Sequence, residues 1–378
     1  MKDNNKRYVI VLTGGGTAGH VWPHFALFEG EKSPLANAFR ENKLSVHYIG
    51  SQSGMEKDLV LINQPNWTYH SVATGKLRRY FSLKNFSDIF KIIFGFLQAF
   101  FLLGKIKASV VFSKGGFVSA PVVWAAWLRG VPIVIHESDA TPALATKLTL
   151  PFSFLALVAF AETIPKMPPL FQKRVKHVGL PIRESLFSAS KNDSLKFFNL
   201  ESNKKTILIF GGSLGAQSLN NKMFNIIPEL NKQFNIIHIV GKGNKSEIMN
   251  VNHYRQYEFL NQEMKYAYAA ADLAICRAGA SSIFELAAAR VPMILVPLGL
   301  HASRGDQIVN ARIFTNQGWA QIIDENTFQN ESAIQLIEST MNSLDERKKA
   351  LDSSPSAQTA SKVSELIWDI ILRYEANK

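Results

Sequence analysis

The chain has a single cysteine, Cys276, in 378 residues. No intramolecular disulfide is possible, which fits a reducing compartment. There is no metal-ligand spacing, no G-x-S-x-G nucleophile elbow and no G-x-x-x-x-G-K-[ST] phosphate loop, so three common catalytic signatures are excluded. No short-period repeat or low-complexity tract occurs, only a weak echo between two glycine-rich loops. The segment Met1–Arg7 lacks the apolar core of a signal peptide, from which we expect a protein that is not exported. Charged residues are few, 19% against 47% hydrophobic, which is ordinary for a globular protein and excludes a disordered one. Acidic residues are outnumbered, 30 Asp and Glu against 42 Lys and Arg, a net charge of +12. Zinc-finger spacing, RNP-type aromatics and long basic runs are all missing, so the charge points away from nucleic acid and toward an anionic membrane surface.

What is present is glycine in two telling places. Gly14-Gly15-Gly16-Thr17-Ala18-Gly19-His20 follows the apolar run Tyr8–Leu12. Gly211-Gly212-Ser213-Leu214-Gly215-Ala216 follows Thr206–Phe210. Each predicts the first βα turn of a doubly wound domain, and 378 residues suffice for two such cores. Strands are expected at Tyr8–Leu12, Val46–Ile49, Val110–Phe112, Ile133–Ile135 and Leu155–Ala159, then at Thr206–Phe210, Ile236–Val240, Leu273–Cys276 and Met293–Val296. Helical patterns fill the gaps, giving parallel sheets covered on both faces. Linkers are expected near Met167-Pro168-Pro169 and Val178-Gly179-Leu180-Pro181, and the polar stretch Ser188–Lys205 separates the units. Val363, Leu366, Ile367, Ile370, Ile371 and Tyr374 share one face of a C-terminal helix.

Gly14-x-Gly16-x-x-Gly19 imitates a dinucleotide fingerprint, but the next strand ends Tyr48-Ile49-Gly50-Ser51 without the ribose-binding acid. We therefore set the NAD reading aside. His20, just after the turn, is either a helix-start hydrogen-bonding group or an acid/base at a site mouth, and its position favours the second. Ser113-Lys114-Gly115-Gly116-Phe117-Val118-Ser119 makes a second anion-capable turn in the same domain. His136-Glu137-Ser138-Asp139 ends a strand, where open α/β sheets bind ligands. The cluster reads either as a cap, with Asp139 starting the next helix, or as chemistry, with Glu137 beside His136 as an orienting pair. Arg277–Glu285 combines a strand end with small residues opening a helix toward an anion. Cys276 reads as a small buried hydrophobe.

The basic aromatic run Lys76–Phe81 leads into Phe90–Leu103. Its uninterrupted apolar part is too short to span a bilayer. Such a helix either lies in the membrane interface beside its cations or packs in a core, and composition does not separate the two.

In order and spacing these motifs resemble the MurG family of GT-B glycosyltransferases along nearly the whole chain, Gly179-Leu180-Pro181-Ile182-Arg183 and Asp306-Gln307-Ile308-Val309-Asn310-Ala311 included. The run Lys76–Phe81 is similar to that of Gram-positive, low-GC members. The resemblance implies two Rossmann-like doubly wound domains facing across a cleft, with the C-terminal helix returning to the N-terminal domain. Residues 1–180 with 357–378 would bind the acceptor, lipid I, and the membrane. Residues 181–356 would bind the donor, UDP-N-acetylglucosamine. It implies transfer of N-acetylglucosamine to the C4 hydroxyl of MurNAc in lipid I, with inversion and without a bound cofactor, completing lipid II for peptidoglycan. It places the enzyme peripherally on the cytoplasmic face of the plasma membrane, in reach of other cell-wall synthesis proteins.

By the same resemblance, Ser213 meets the donor diphosphate, Leu260 the uracil, Ala280, Ser281, Ser282, Ile283 and Phe284 line the nucleotide, Glu285 holds the ribose and Gln307 the sugar hydroxyls. Arg183 pairs with the donor. Thr17, Ala18, Gly19 and Asp139 are assigned to the donor from the N-terminal side. Gly15, Gly16, Gly115, Gly116, Phe117 and Ser119 serve the acceptor, and the first turn also faces the acceptor diphosphate. His20, then Glu137, are the base candidates. The sequence departs from the family at Ala18, where glycine is usual, and at Asp139, where Asn is usual. The alternatives are a GT-B transferase acting on diacylglycerol or another polyprenol, and a non-catalytic UDP-sugar-binding protein.

Overall fold

A computed structural model describes residues 7–75, 83–212, 216–246, 252–299, 305–354 and 359–378, the side chains of 83–87 apart. The basic run at Lys76, Arg78 and Arg79, the Ser213 position and the 300–304 loop lie outside the described residues. The chain divides into two units, 1–183 with 357–378 and 184–356.

Unit 1 is a parallel sheet of seven strands, β1 (Tyr8–Thr13), β2 (Leu44–Ser51), β3 (Thr68–Val72), β4 (Val110–Ser113), β5 (Ile133–Glu137), β6 (Leu155–Val158) and β7 (Val175–His177), in the order β3-β2-β1-β4-β5-β6-β7. Side chains alternate between its faces, so each face has its own core. Ile10, Leu12, Phe112 and Leu157 pack on one side with Val363, Ile367 and Ile371 of the C-terminal helix Thr359–Ala376. That helix is tied down by Ser364, whose Oγ lies 2.8 Å from Ser33 Oγ and accepts from Leu35 N at 3.1 Å. Val11, Val111, Ile133 and Ile135 pack on the other side with Ala99 and Leu103 of the helix Leu83–Ile106 and Val122 of the helix Ser119–Leu128.

Unit 2 repeats the plan with β8 (Thr206–Phe210), β9 (Asn235–Ile239), β10 (Tyr254–Tyr257), β11 (Leu273–Cys276), β12 (Met293–Leu295) and β13 (Ala320–Ile322), in the order β10-β9-β8-β11-β12-β13. Ile207, Ile209 and Ile275 pack against Leu219, Met223 and Ile226 of the helix Gln217–Gln233.

Three expectations fail. Met167-Pro168-Pro169 is not a linker. Met167 is buried, and the chain goes on to β7 in the same sheet, because Pro169 opens a short helix, Pro169–Gln172, instead of leaving the unit. The Ser188–Lys205 stretch contains the helix Lys191–Phe197, capped by Ser190 Oγ accepting from Asp193 N, and belongs to unit 2. By length and hydropathy Asp88–Ile106 also suffices to cross a bilayer, contrary to the shorter apolar run read from sequence. One face of it is nevertheless packed on the sheet. Gln98 Oε1 accepts from Ala73 N at 2.7 Å, and Arg129 Nε donates to Phe100 O at 3.0 Å.

Candidate active site

In each sheet the strand order reverses once, between β1 and β4 in unit 1 and between β8 and β11 in unit 2. Ligands of open α/β sheets bind at the carboxyl ends of the strands flanking that reversal. The four strand ends concerned carry the four glycine-bearing turns singled out in the sequence.

In unit 1 the two turns touch. Lys114 N donates to Thr13 O at 2.9 Å, and a Cβ on Gly116, at φ +83°, would come within 2.2 Å of Gly15 O. Only glycine permits that approach. The first turn is held from behind by Glu56, a fully buried acid on the helix Met55–Asn63. Its carboxylate accepts from Gly16 N at 3.3 Å, from Ser51 N at 3.0 Å and from Ser51 Oγ. A Cβ at Gly15 would lie 2.7 Å from Glu56 Cδ. Tyr48 Oη donates to Gly14 O at 2.8 Å. Nothing in the sequence marks Glu56, which lies forty residues beyond Gly16.

His20 ends the 3-10 turn Ala18–His20 and is half-buried, with Cε1 4.0 Å from a Cβ built at Gly115. The structure thus brings His20, Gly115 and Gly116 together. Gly16 and Thr17 are exposed, and Ala18 and Gly19 are half-buried. The ring of Phe117 closes over Gly16, 3.1 Å from its built Cβ. Ser119 is a correction to its acceptor assignment. It is fully buried and its Oγ donates to Gly116 O at 2.9 Å, closing the turn instead of facing a ligand.

Glu137 is a second correction. Its side chain is buried and accepts from Asp139 N at 3.1 Å, Ala143 N at 2.8 Å and Thr146 Oγ1 at 2.6 Å. These bonds tie down the start of the helix Leu144–Thr149, so the cluster does cap, but through Glu137 and not through the Asp139 side chain. The pairing with His136 does not form, because neighbours in a strand face opposite ways. His136 instead meets Lys114 Nζ at 2.6 Å through Nδ1 and Gly179 O at 2.9 Å through Nε2. Burial, then the Lys114 charge, hold its pKa well below the ordinary value. Asp139 is half-buried beside this cap. Arg183 closes the unit, with Cζ stacked 3.9 Å over the Trp22 ring.

In unit 2 a Cβ at Gly212, after β8, or at Gly279, after β11, would meet no atom within 4 Å among the described residues. Gly279 caps the helix Ala280–Ala288, whose Ser281 and Ser282 are half-buried in its first turn. Glu285 follows one turn later and accepts from Tyr268 Oη at 2.7 Å. Ile283 and Phe284 are corrections. Both side chains are buried in the core, with Phe284 edge-on to Phe314 at 5.5 Å, so neither side chain faces a ligand. Ala280 is buried and Leu260 half-buried after β10. Gln307 Oε1 accepts from Leu298 N at 3.1 Å, fixing the loop after β12. Arg277 is held by both carboxylate oxygens of Glu325 at 2.7 Å and by Val296 O at 3.0 Å. Burial pushes the Glu325 carboxyl up, but hydrogen bonds from Arg277 and Ser218 and the Arg277 charge carry it below its ordinary value.

The family models of the glycosyltransferase family 28 N-terminal and C-terminal domains match residues 10–153 and 206–367. Relatives named UDP-N-acetylglucosamine--N-acetylmuramyl-(pentapeptide) pyrophosphoryl-undecaprenol N-acetylglucosamine transferase include one from Oceanobacillus iheyensis, 43% identical over 97% of this chain and 99% of its own length. Another, from Clostridium perfringens, is 42% identical over 97% of this chain and 98% of its own length. The crystal structure of Acinetobacter baumannii MurG shares the fold, with a TM-score of 0.72 at 24% identity over 96% of this chain and 99% of that one. With both halves matched and such identity along almost its entire length, the chain belongs to glycosyltransferase family 28, among the MurG transferases.

Proposed function

We propose that the protein transfers N-acetylglucosamine from UDP-N-acetylglucosamine to the C4 hydroxyl of MurNAc in lipid I, forming the β-1,4 linkage of lipid II with inversion. The observation that carries this reading is 43% identity over 97% of the chain to a transferase of that name. Unit 2 holds the donor at the crevice between β8 and β11, where Gly212 and Gly279 receive a diphosphate and Glu285 a ribose. Ser213, Leu260, Ala280, Ser281, Ser282 and Gln307 keep the donor roles given above. Unit 1 holds the acceptor diphosphate at the paired turns of Gly15, Gly16, Gly115 and Gly116, while Thr17, Ala18, Gly19, Asp139 and Arg183 keep the donor roles given above.

The reaction is one displacement. The muramyl 4-hydroxyl attacks the anomeric carbon, the bond to the UDP oxygen breaks, and a base takes the hydroxyl proton. We assign that base to His20, since the Glu137 carboxylate is engaged by three donors. Helix N-termini stabilise the departing diphosphate, and no bound cofactor is needed.

We place the protein at the membrane surface through the helix Leu83–Ile106. Its outer face exposes Phe90 (61%), Phe94 (58%) and Phe101 (68%), next to Trp127 and Leu128 of the neighbouring helix. A helix apolar on its outer face and packed on its inner face suits the interface of a bilayer. An apolar groove of about 490 Å³, lined by Phe96, Trp124, Trp127, Leu148 and Phe152 with Lys147 at its edge, continues that surface.

The test is transfer of labelled sugar from UDP-N-acetylglucosamine to a lipid I analogue by the folded protein. Transfer supports the reading. Tight donor binding without transfer to any lipid acceptor replaces it with a UDP-sugar-binding protein. Transfer only to diacylglycerol or a polyprenol replaces the acceptor.

A further inference from the structure

Lys114 stands directly after β4 and is 1% exposed. A buried lysine is costly unless something needs its charge. Its side chain runs beneath the first glycine turn, with Cβ 3.3 Å from a Cβ built at Gly14, to the end of β5. There Nζ meets His136 Nδ1 at 2.6 Å and donates to Ser138 Oγ at 2.8 Å. The tautomer follows from the partners. Gly179 O can only accept, so His136 Nε2 carries the hydrogen and Nδ1 offers a lone pair to the ammonium. The string continues from Gly179 along the chain to Arg183, whose guanidinium stacks on Trp22, two residues beyond His20. A circuit of contacts therefore joins both glycine turns to the last residues of unit 1, with Lys114 as its only cation buried at the strand ends, among the described residues.

We propose that Lys114 is a positioning residue of the unit 1 site, its buried ammonium fixed by His136 and Ser138 beneath the two glycine turns to hold the diphosphate of a lipid-linked acceptor. This rests on the proposed function and names the group that anchors its acceptor. Two glycines let an anion approach the backbone; two turn amides are already engaged, Gly16 N by Glu56 and Gly115 N by Ser113 Oγ. A fixed cation below the turn supplies attraction that the remaining amides do not.

The ammonium is also tunable. Burial lowers its pKa to about 7, against the raising effect of Glu137 and Asp139. The other titratable groups around it are His136 on β5, His24 on the helix Trp22–Ala26 and His20. His24 is held neutral by burial, then by the Lys114 and His20 charges. The amine is charged below its pKa and neutral above it, so an anion seated on the turns draws a proton onto Lys114.

The experiment uses the full chain and two readouts. The first is calorimetric titration with inorganic pyrophosphate near pH 7.5 in buffers of different ionisation enthalpy, which counts protons taken up. We expect roughly half a proton in the wild type and in His20→Asn, and none in Lys114→Met. The second is steady-state kinetics with a lipid I analogue. Lys114→Met should raise the acceptor KM by about tenfold or more with the donor KM unchanged, and should abolish the fall in acceptor kcat/KM above neutral pH. Unchanged proton uptake and acceptor KM in a folded Lys114→Met protein overturn the proposal. If that variant does not fold, absence of uptake in the wild type overturns it and uptake persisting in His20→Asn upholds it. Absence of any sugar transfer by the wild type refutes the proposed function instead, while the pyrophosphate titration still decides the role of Lys114.

Discussion

Replacing Gly116 with alanine should separate the two turns of unit 1. The residue has φ +83°, and its new Cβ would lie 2.2 Å from Gly15 O and 3.1 Å from Gly15 N. The left-handed backbone costs an L-residue roughly 1–2 kcal/mol. The obstructing atoms are backbone, which cannot swing aside, so overpacking adds about 1–3 kcal/mol. The sum, about 2–5 kcal/mol, corresponds to a fall of roughly 5–15 °C in the Tm of a unit of this size. Differential scanning calorimetry resolves it if the two units melt separately, and chemical denaturation followed by tryptophan fluorescence serves otherwise. Gly130→Ala is the control. It has φ +67° with nothing within 4 Å of its Cβ, so it carries the backbone cost alone. Gly212→Ala meets no atom within 4 Å among the described residues, and it should leave stability unchanged while weakening donor binding. A Gly116→Ala protein no less stable than Gly130→Ala would refute the close packing of the turns as their constraint.

Four further outcomes are expected. Glu137→Ala should cost about 3 kcal/mol in urea unfolding, because it strands three donors. It should leave kcat largely unchanged, whereas His20→Ala should lower kcat by about a hundredfold or more with little change in the donor KM. Glu285→Ala should raise the donor KM about tenfold with little change in the acceptor KM, and the reverse pattern would contradict the donor role of unit 2. The double change Phe90→Glu with Phe94→Glu should cut co-sedimentation with anionic vesicles more than about tenfold at unchanged Tm, since each ring is worth roughly 1.5–3 kcal/mol on burial. The folded Glu325 carboxyl titrates below its ordinary 4.5, so its stabilising bonds are fully present above that pH and are lost as pH falls through the folded value. Glu325→Gln should flatten the acid side of the unit 2 stability profile.

The sequence by itself determined the fold class and the strand ends at which the glycine turns stand. Every strand expected from it forms, because central strands of a parallel sheet are buried on both faces and read as unbroken aliphatic runs such as Ile207–Ile209 and Ile133–Ile135. The four strands it did not mark, β3, β7, β10 and β13, are the four sheet edges. Edges are partly solvated, so they lack the unbroken aliphatic run of a central strand. In Tyr254–Tyr257 the middle residues, Arg255 and Gln256, are polar and half-buried.

The glycine turns were legible for the same local reason, since a turn against a strand end needs residues without Cβ. Their partners were not. Whether Glu137 pairs with His136 or caps a helix, whether Phe284 faces a nucleotide or the core, and which acid stands behind Gly16 depend on which way a side chain points and on what folds against it from tens of residues away. Lys114 was visible in the sequence as one residue of a turn. Only the tertiary structure buried its ammonium between His136 and Ser138, because the reversal of strand order between β1 and β4 brings three strand ends to one place.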